Sequence, residues 1–248
     1  MKRPDIVRRI AEVVHRIAPD AKTILYGSEA RGDAQVDSDI DLLILLDGDH
    51  LAPERELEIT RHLYEVEVET GVIISPMVVL RRVSGKGTTS ALFRMGKNHD
   101  PIQHQCNEGR DRVMKEKLDS ESRAAIVNYR LERAYETLKE ADYNTAGGYY
   151  NAAVNRLYYA CYYAASALLL NCEIEANTHN GVKTQLSMHF VRTGHLSLDH
   201  GATFSLLFEK RQASDYSDLA YCDLALVNTL RPRAEAFINA MEQLINKE

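Results

Sequence analysis

The sequence predicts an α+β unit with a small mixed sheet, followed by an all-α helical bundle. Short apolar runs of strand character stand at 23–26, 40–46 and 72–79, each set off by glycine, proline or charged residues. Beyond about Leu118 such runs stop, and apolar residues recur instead at helical spacing.

In the first part, Ile6, Ile10, Val13, Val14 and Ile17 predict an amphipathic opening helix from Pro4 to Ile17. Thr23-Ile24-Leu25-Tyr26 forms a strand that ends at Gly27. Ile40-Asp41-Leu42-Leu43-Ile44-Leu45-Leu46 forms a second, apolar enough for burial on both faces. A charged helix spans Pro53 to Thr70, with Pro53 in its first turn and Gly71 stopping it. Glu65, Glu67 and Glu69 are expected on its solvated face. The third strand, 72–79, contains Pro76, which places it near an edge or a bulge.

In the second part, Val127, Leu131, Ala134, Leu138 and Ala141 mark one helix, and Leu157, Ala160, Cys161, Ala164 and Leu168 another. Tyr158, Tyr159, Tyr162 and Tyr163 fill the other face of that second helix, so it is either central or covered by a second subunit. Phe204, Leu207, Phe208 and Arg211 suggest a further helix; Leu230, Ala234, Phe237, Ile238, Met241 and Ile245 line the last. His179, His189, His195 and His200 have no convergent spacing and read as solvated or capping residues.

Composition bounds the function. The 248 residues carry a net charge of −6, which argues against a broad sequence-independent grip on nucleic acid. No stretch approaches the roughly twenty apolar residues that span a bilayer, and the first residues lack a signal peptide's apolar core. A cytoplasmic location is the expectation. Cys106, Cys161, Cys172 and Cys222 show no paired spacing, so neither a disulfide framework nor a thiolate zinc site is indicated.

The chemistry concentrates in Tyr26-Gly27-Ser28-Glu29-Ala30-Arg31-Gly32-Asp33-Ala34-Gln35-Val36-Asp37-Ser38-Asp39-Ile40-Asp41. Gly27 lets backbone approach a phosphate closely, and Ser28 offers a hydroxyl and an N–H to the same oxygens. A helix beginning there would add its free N–H groups. Asp39 and Asp41, two apart at a strand's start, emerge on one face. Their mutual repulsion is relieved by a divalent cation, and hard oxygen ligands favour magnesium or manganese. Arg31 either steadies a phosphate or pairs with Asp33 or Asp37.

This Gly-Ser-x10-Asp-x-Asp run resembles the signature of the DNA polymerase β-like nucleotidyltransferase superfamily, specifically its minimal members. The resemblance implies transfer of a nucleoside monophosphate from an NTP, ATP being the expected one, with pyrophosphate leaving. Asp39 and Asp41 would then be catalytic and hold the metal, while Gly27, Ser28 and Arg31 would bind the nucleotide. Many such domains carry a third carboxylate on the following strand; residues 72–79 contain none, and Ser75 lies about where it would be. The acceptor would be a protein, RNA or small-molecule hydroxyl.

Ala153-Val154-Asn155-Arg156-Leu157-Tyr158-Tyr159-Ala160-Cys161-Tyr162-Tyr163 resembles the signature helix of HEPN domains, as do His179-Asn180-Gly181-Val182 and Arg211-Gln212-Ala213-Ser214-Asp215-Tyr216. That family implies a homodimer through the helical domain and, in many members, RNA cleavage through Arg-x4–6-His. Here Arg211 is followed by Tyr216, Ser217 and Asp218 at those spacings, so the motif is expected to be inactive as a ribonuclease.

The expected division is 1–83 for the nucleotidyltransferase domain, 84–113 for an atypical connector and 114–248 for the helical domain. The connector's His99, His104 and Cys106 match no common metal site. Two functions remain open: a metal-dependent nucleotidyltransferase, also similar as a fusion to drug-modifying transferases, or a non-catalytic nucleotide- or RNA-binding regulatory module of toxin–antitoxin type.

Overall fold

The computed structural model describes residues 2–35, 38–80, 119–216 and 222–247, without the side chains of 213–216. The stretch 84–113, with His99, His104 and Cys106, lies outside the described residues.

The first half has the order α1 (Pro4–Ile17), β1 (Lys22–Leu25), α2 (Gly27–Arg31), β2 (Ile40–Leu46), α3 (Pro53–Thr70) and β3 (Ile74–Leu80). The sheet is mixed, in the order β1-β2-β3, with β1 antiparallel and β3 parallel to β2. Pro76 therefore lies on an edge strand, where its missing N–H breaks no ladder on the outer side. Ile40, Leu42 and Ile44 are buried and pack with Ile10 and Val14 of α1 and Ile59, Leu63 and Val66 of α3. Strand alternation then puts Asp41 on the opposite face from this core.

The second half comprises α4 (Ser120–Ala146), α5 (Tyr150–Asn171), α6 (His179–Leu186, continued by a π-helical turn at Ser187–Val191), α7 (Leu198–Tyr216) and α8 (Leu224–Ile245). Asp119, Thr178 and Asp223 cap α4, α6 and α8 with side-chain oxygens. Helix α5 is central, packing against α4, α7 and α8, which explains its lack of a polar face. Helix α6 had no apolar stripe long enough to be read from sequence. Among the described residues Cys161 and Cys222 are free thiols.

The two halves are packed together, and α3 is the shared element. Its Leu57 and Tyr64 belong to the helical core, while its Ile59, Leu63 and Val66 belong to the sheet core. The solvated-face expectation for Glu67 is thus corrected: Glu67 is 4% exposed, because α7 and α6 cover that side. Glu56 pairs with Lys210 at 2.7 Å, and Arg61 with Asp199 at 2.7 Å. A cut anywhere in 84–113 should accordingly leave the halves associated.

Tyr64 seats on a glycine of α7. A Cβ at Gly201 would lie 2.3 Å from Tyr64 Cε1 and 2.6 Å from its hydroxyl oxygen. Gly201→Ala is therefore expected to destabilise the protein by about 1–3 kcal/mol through overpacking, although alanine is the better helix former. Urea unfolding measures this, and an unchanged midpoint would show that the interface yields freely.

Candidate active site

Strand β1 delivers the chain to Tyr26, whose N–H donates to the Asp41 carbonyl at 3.1 Å. Gly27 follows with φ +67°, and a Cβ there would stand 1.9 Å from Asp41 Oδ2. Only a residue without a side chain brings this backbone against that carboxylate. Ser28 opens the short turn of α2, which Gly32 ends in the left-handed region, its N–H bonded to the Ser28 carbonyl at 3.0 Å.

The loop from α2 to β2 is clamped by a pair that the sequence reading missed. Glu29 is fully buried and accepts the N–H groups of Lys2 and Arg3 and the Arg3 Nε at 3.0 Å. Burial alone would raise its pKa, but these donors hold it below the ordinary value. Arg3 also donates to the Ser38 carbonyl at 2.7 Å, so it ties α2 to the residue before Asp39. No sequence signal marks this pair, since Arg3 and Glu29 meet only once α1 lies across the sheet.

Asp39 and Asp41 come together as the spacing required. Ser75, in register with Asp41 on β3, donates its hydroxyl to Asp39 Oδ2 at 3.0 Å. Asp41 is pushed up to about 7, first by burial and then by the charge of Asp39, with Arg31 opposing. Arg31 itself pairs with Asp33, Nε to Oδ2 at 3.2 Å, and reaches Asp41 only through its field. Tyr26, wedged beside Asp41, Glu209 and Asp39, has its pKa raised chiefly by burial.

These residues fit a divalent cation. Two half-buried carboxylates crowd one side of the site, one of them raised to about 7 by burial and by the other's charge, and their donors are all oxygen. Among the described residues no third His, Cys, Asp or Glu completes a protein cage. Magnesium tolerates that, keeping waters and taking phosphate oxygens.

The charge state makes a pH signature. A cation requires Asp41 ionised, so magnesium affinity should rise with pH up to about 7 and level off above it. Stability runs the other way: a raised folded pKa favours the protonated native state, so the metal-free protein loses stability as pH climbs from 3.8 to about 7. Calorimetric titrations at pH 6, 7 and 8 test the first, and thermal unfolding without metal tests the second.

In the helical half, Arg211 lies on α7, and Tyr216 ends that helix with its side chain outside the described residues. His179 is neither solvated nor a cap. Its Nδ1 lies 2.7 Å from the Tyr158 hydroxyl, and its ring centroid is 4.5 Å from that of Tyr162. The charge of Arg211 acts on the same Tyr158 hydroxyl, whose pKa burial raises. Arg156 covers the Tyr159 ring at 4.9 Å and Arg133 the Tyr163 ring at 5.9 Å.

A glycine-serine turn facing paired strand aspartates on a three-stranded mixed sheet defines a nucleotidyltransferase unit, here carried on a helical bundle. The nucleotidyltransferase-domain family model matches residues 7–80, and the HEPN-domain model matches residues 127–247. A UPF0332 protein of Thermotoga maritima is 35% identical over 120 residues, which cover 48% of this chain and 91% of that one. Two Methanocaldococcus jannaschii proteins whose names class them as candidate toxins are also similar. One is 26% identical over 117 residues, covering 47% of this chain and 75% of its own. The other is 31% identical over 87 residues, covering 35% and 65%. The chain belongs to the HEPN family through its second half, with a nucleotidyltransferase domain fused ahead of it. No helix among the described residues is long and apolar enough to cross a membrane.

Proposed function

We propose that the first half transfers a nucleoside monophosphate from an NTP, with ATP the expected donor, to a hydroxyl acceptor on protein, RNA or a small molecule. The observation that carries this reading is the contact of the Gly27 backbone with Asp41 beside Asp39. It puts a turn without a side chain beside the two carboxylates. Asp39 and Asp41 would hold magnesium or manganese; bound there, the ion offsets charge on the phosphates and acidifies the acceptor hydroxyl. Ser75 keeps Asp39 oriented, Arg3 and Glu29 fix the loop that carries it, and Gly27 with Ser28 offers backbone and hydroxyl to the triphosphate.

A second reading, favoured by the two relatives named as candidate toxins, is a regulatory module of toxin–antitoxin type that binds nucleotide without turnover. In either case the helical half is proposed to form a homodimer, with the half-buried Tyr159, Tyr162 and Tyr163 available to a second copy. Incubation with α-labelled NTPs and magnesium separates the readings. Label on protein, RNA or a small molecule supports transfer. Saturable binding with no labelled product supports the module, and neither outcome would overturn both.

A further inference from the structure

A buried lysine set between two glutamates joins the helical half to the candidate active site. Lys183, on α6, is 1% exposed, and its Nζ lies 3.2 Å from Glu67 Oε2 on α3 and 3.6 Å from Glu209 Oε1 on α7. Burial works against the ammonium, yet the two carboxylates keep its pKa above the ordinary value. Glu67 Oε2 also accepts the N–H of Ile74, the first residue of β3, at 3.0 Å. The next residue is Ser75, whose hydroxyl holds Asp39. Glu209 is near enough for the charge of Asp39 to act on it and for its own to act on Tyr26. A continuous series of contacts therefore runs from a lysine of the second half to a metal-site carboxylate of the first.

The plain alternative is that the cluster only binds the halves together. Other ion pairs among the described residues already do so, Glu56 with Lys210 and Arg61 with Asp199 among them, and these do not involve β3. Glu67 differs because the oxygen that meets Lys183 is the one that anchors the strand. A carboxylate at 4% exposure without its cation is an uncompensated buried charge, and movement toward water to relieve it loosens the Ile74 bond.

We infer that Lys183 is a positioning residue of the transferase site: acting through Glu67, it fixes the start of β3 and so the Ser75 hydroxyl on Asp39, which makes nucleotide binding in the first half depend on the second. This rests on the reading of Asp39 and Asp41 given above.

The test uses Lys183→Met in the full chain with two readouts. One is the affinity for magnesium and ATP by calorimetry; the other is amide hydrogen exchange of residues 72–80. Loss of a hydrogen bond to a charged partner should speed Ile74 exchange about tenfold and weaken affinity by a similar factor. Adding Glu67→Gln, which keeps an acceptor for Ile74 and leaves position 67 uncharged, should restore both. Exchange and affinity within about twofold of wild type, with only the melting temperature lowered, would overturn the proposal and leave Lys183 as a purely structural tie. A wild-type chain that binds no nucleotide would sink the functional reading, while the exchange data would still decide the positioning claim. Should Lys183→Met fail to fold, Glu67→Ala carries the test, since it removes the acceptor of Ile74 and leaves Lys183 with Glu209. Wild-type exchange and affinity in that variant would equally overturn it.

Discussion

Replacing Asp39 and Asp41 together by asparagine is expected to abolish magnesium-dependent NTP binding and leave the fold intact. Asparagine preserves size, and its amide oxygen can still accept the Ser75 hydroxyl that now bonds Asp39. What disappears is the pair of negative charges, and with it the attraction for a hard cation. Without metal, burial and then the charge of Asp39 raise Asp41 to about 7. The double variant should therefore melt no lower than wild type, and somewhat higher above pH 7, where both carboxylates would otherwise be ionised. Calorimetry with magnesium and ATP, beside circular dichroism, checks both halves of the expectation. Undiminished binding would remove the site assignment.

Gly27→Ala is expected to weaken nucleotide binding at least about tenfold and to cost stability as well. Two causes act at once. The φ of +67° is left-handed, which costs a non-glycine residue about 1–2 kcal/mol. The new methyl would also lie 1.9 Å from Asp41 Oδ2, so the carboxylate or the turn must move. A displacement of that size at a reacting centre is worth up to about a hundredfold in rate. Gly71→Ala separates the causes, because Gly71 has φ +71° with nothing within 4 Å of a Cβ. It should show the stability loss without the binding loss. Equal binding losses in both variants would mean that the contact with Asp41 has no functional weight.

Much of the site was legible because its signal is local. Strand periodicity and an Asp-x-Asp spacing suffice to place two carboxylates on one face, and a glycine-serine turn at the end of the preceding strand suffices to place backbone opposite them. Arg31 illustrates the boundary: its two alternatives were both consistent with sequence, and the structure shows the pair with Asp33 at 3.2 Å. Glu67 illustrates a misreading. On a helix rich in glutamate, one more acid looks solvated, and only the approach of α6 and α7 buries it. His179 was passed over for a similar reason, since it and Tyr158 stand 21 residues apart and meet through helix packing.

The chain's order of residues by itself determined the division into a mixed-sheet half and a helical half, and the glycine, serine and aspartates of the candidate active site. These follow from periodicities of two and 3.6 and from short-range stereochemistry, which act within a few residues. The tertiary structure alone decided that Arg3 and Glu29 clamp the aspartate loop, that α3 serves two cores at once, and that Lys183 meets Glu67 and Glu209. Such pairings join residues far apart in sequence. Their partners are chosen by which faces remain to be buried once the helices and sheet have formed, and no local pattern encodes that choice.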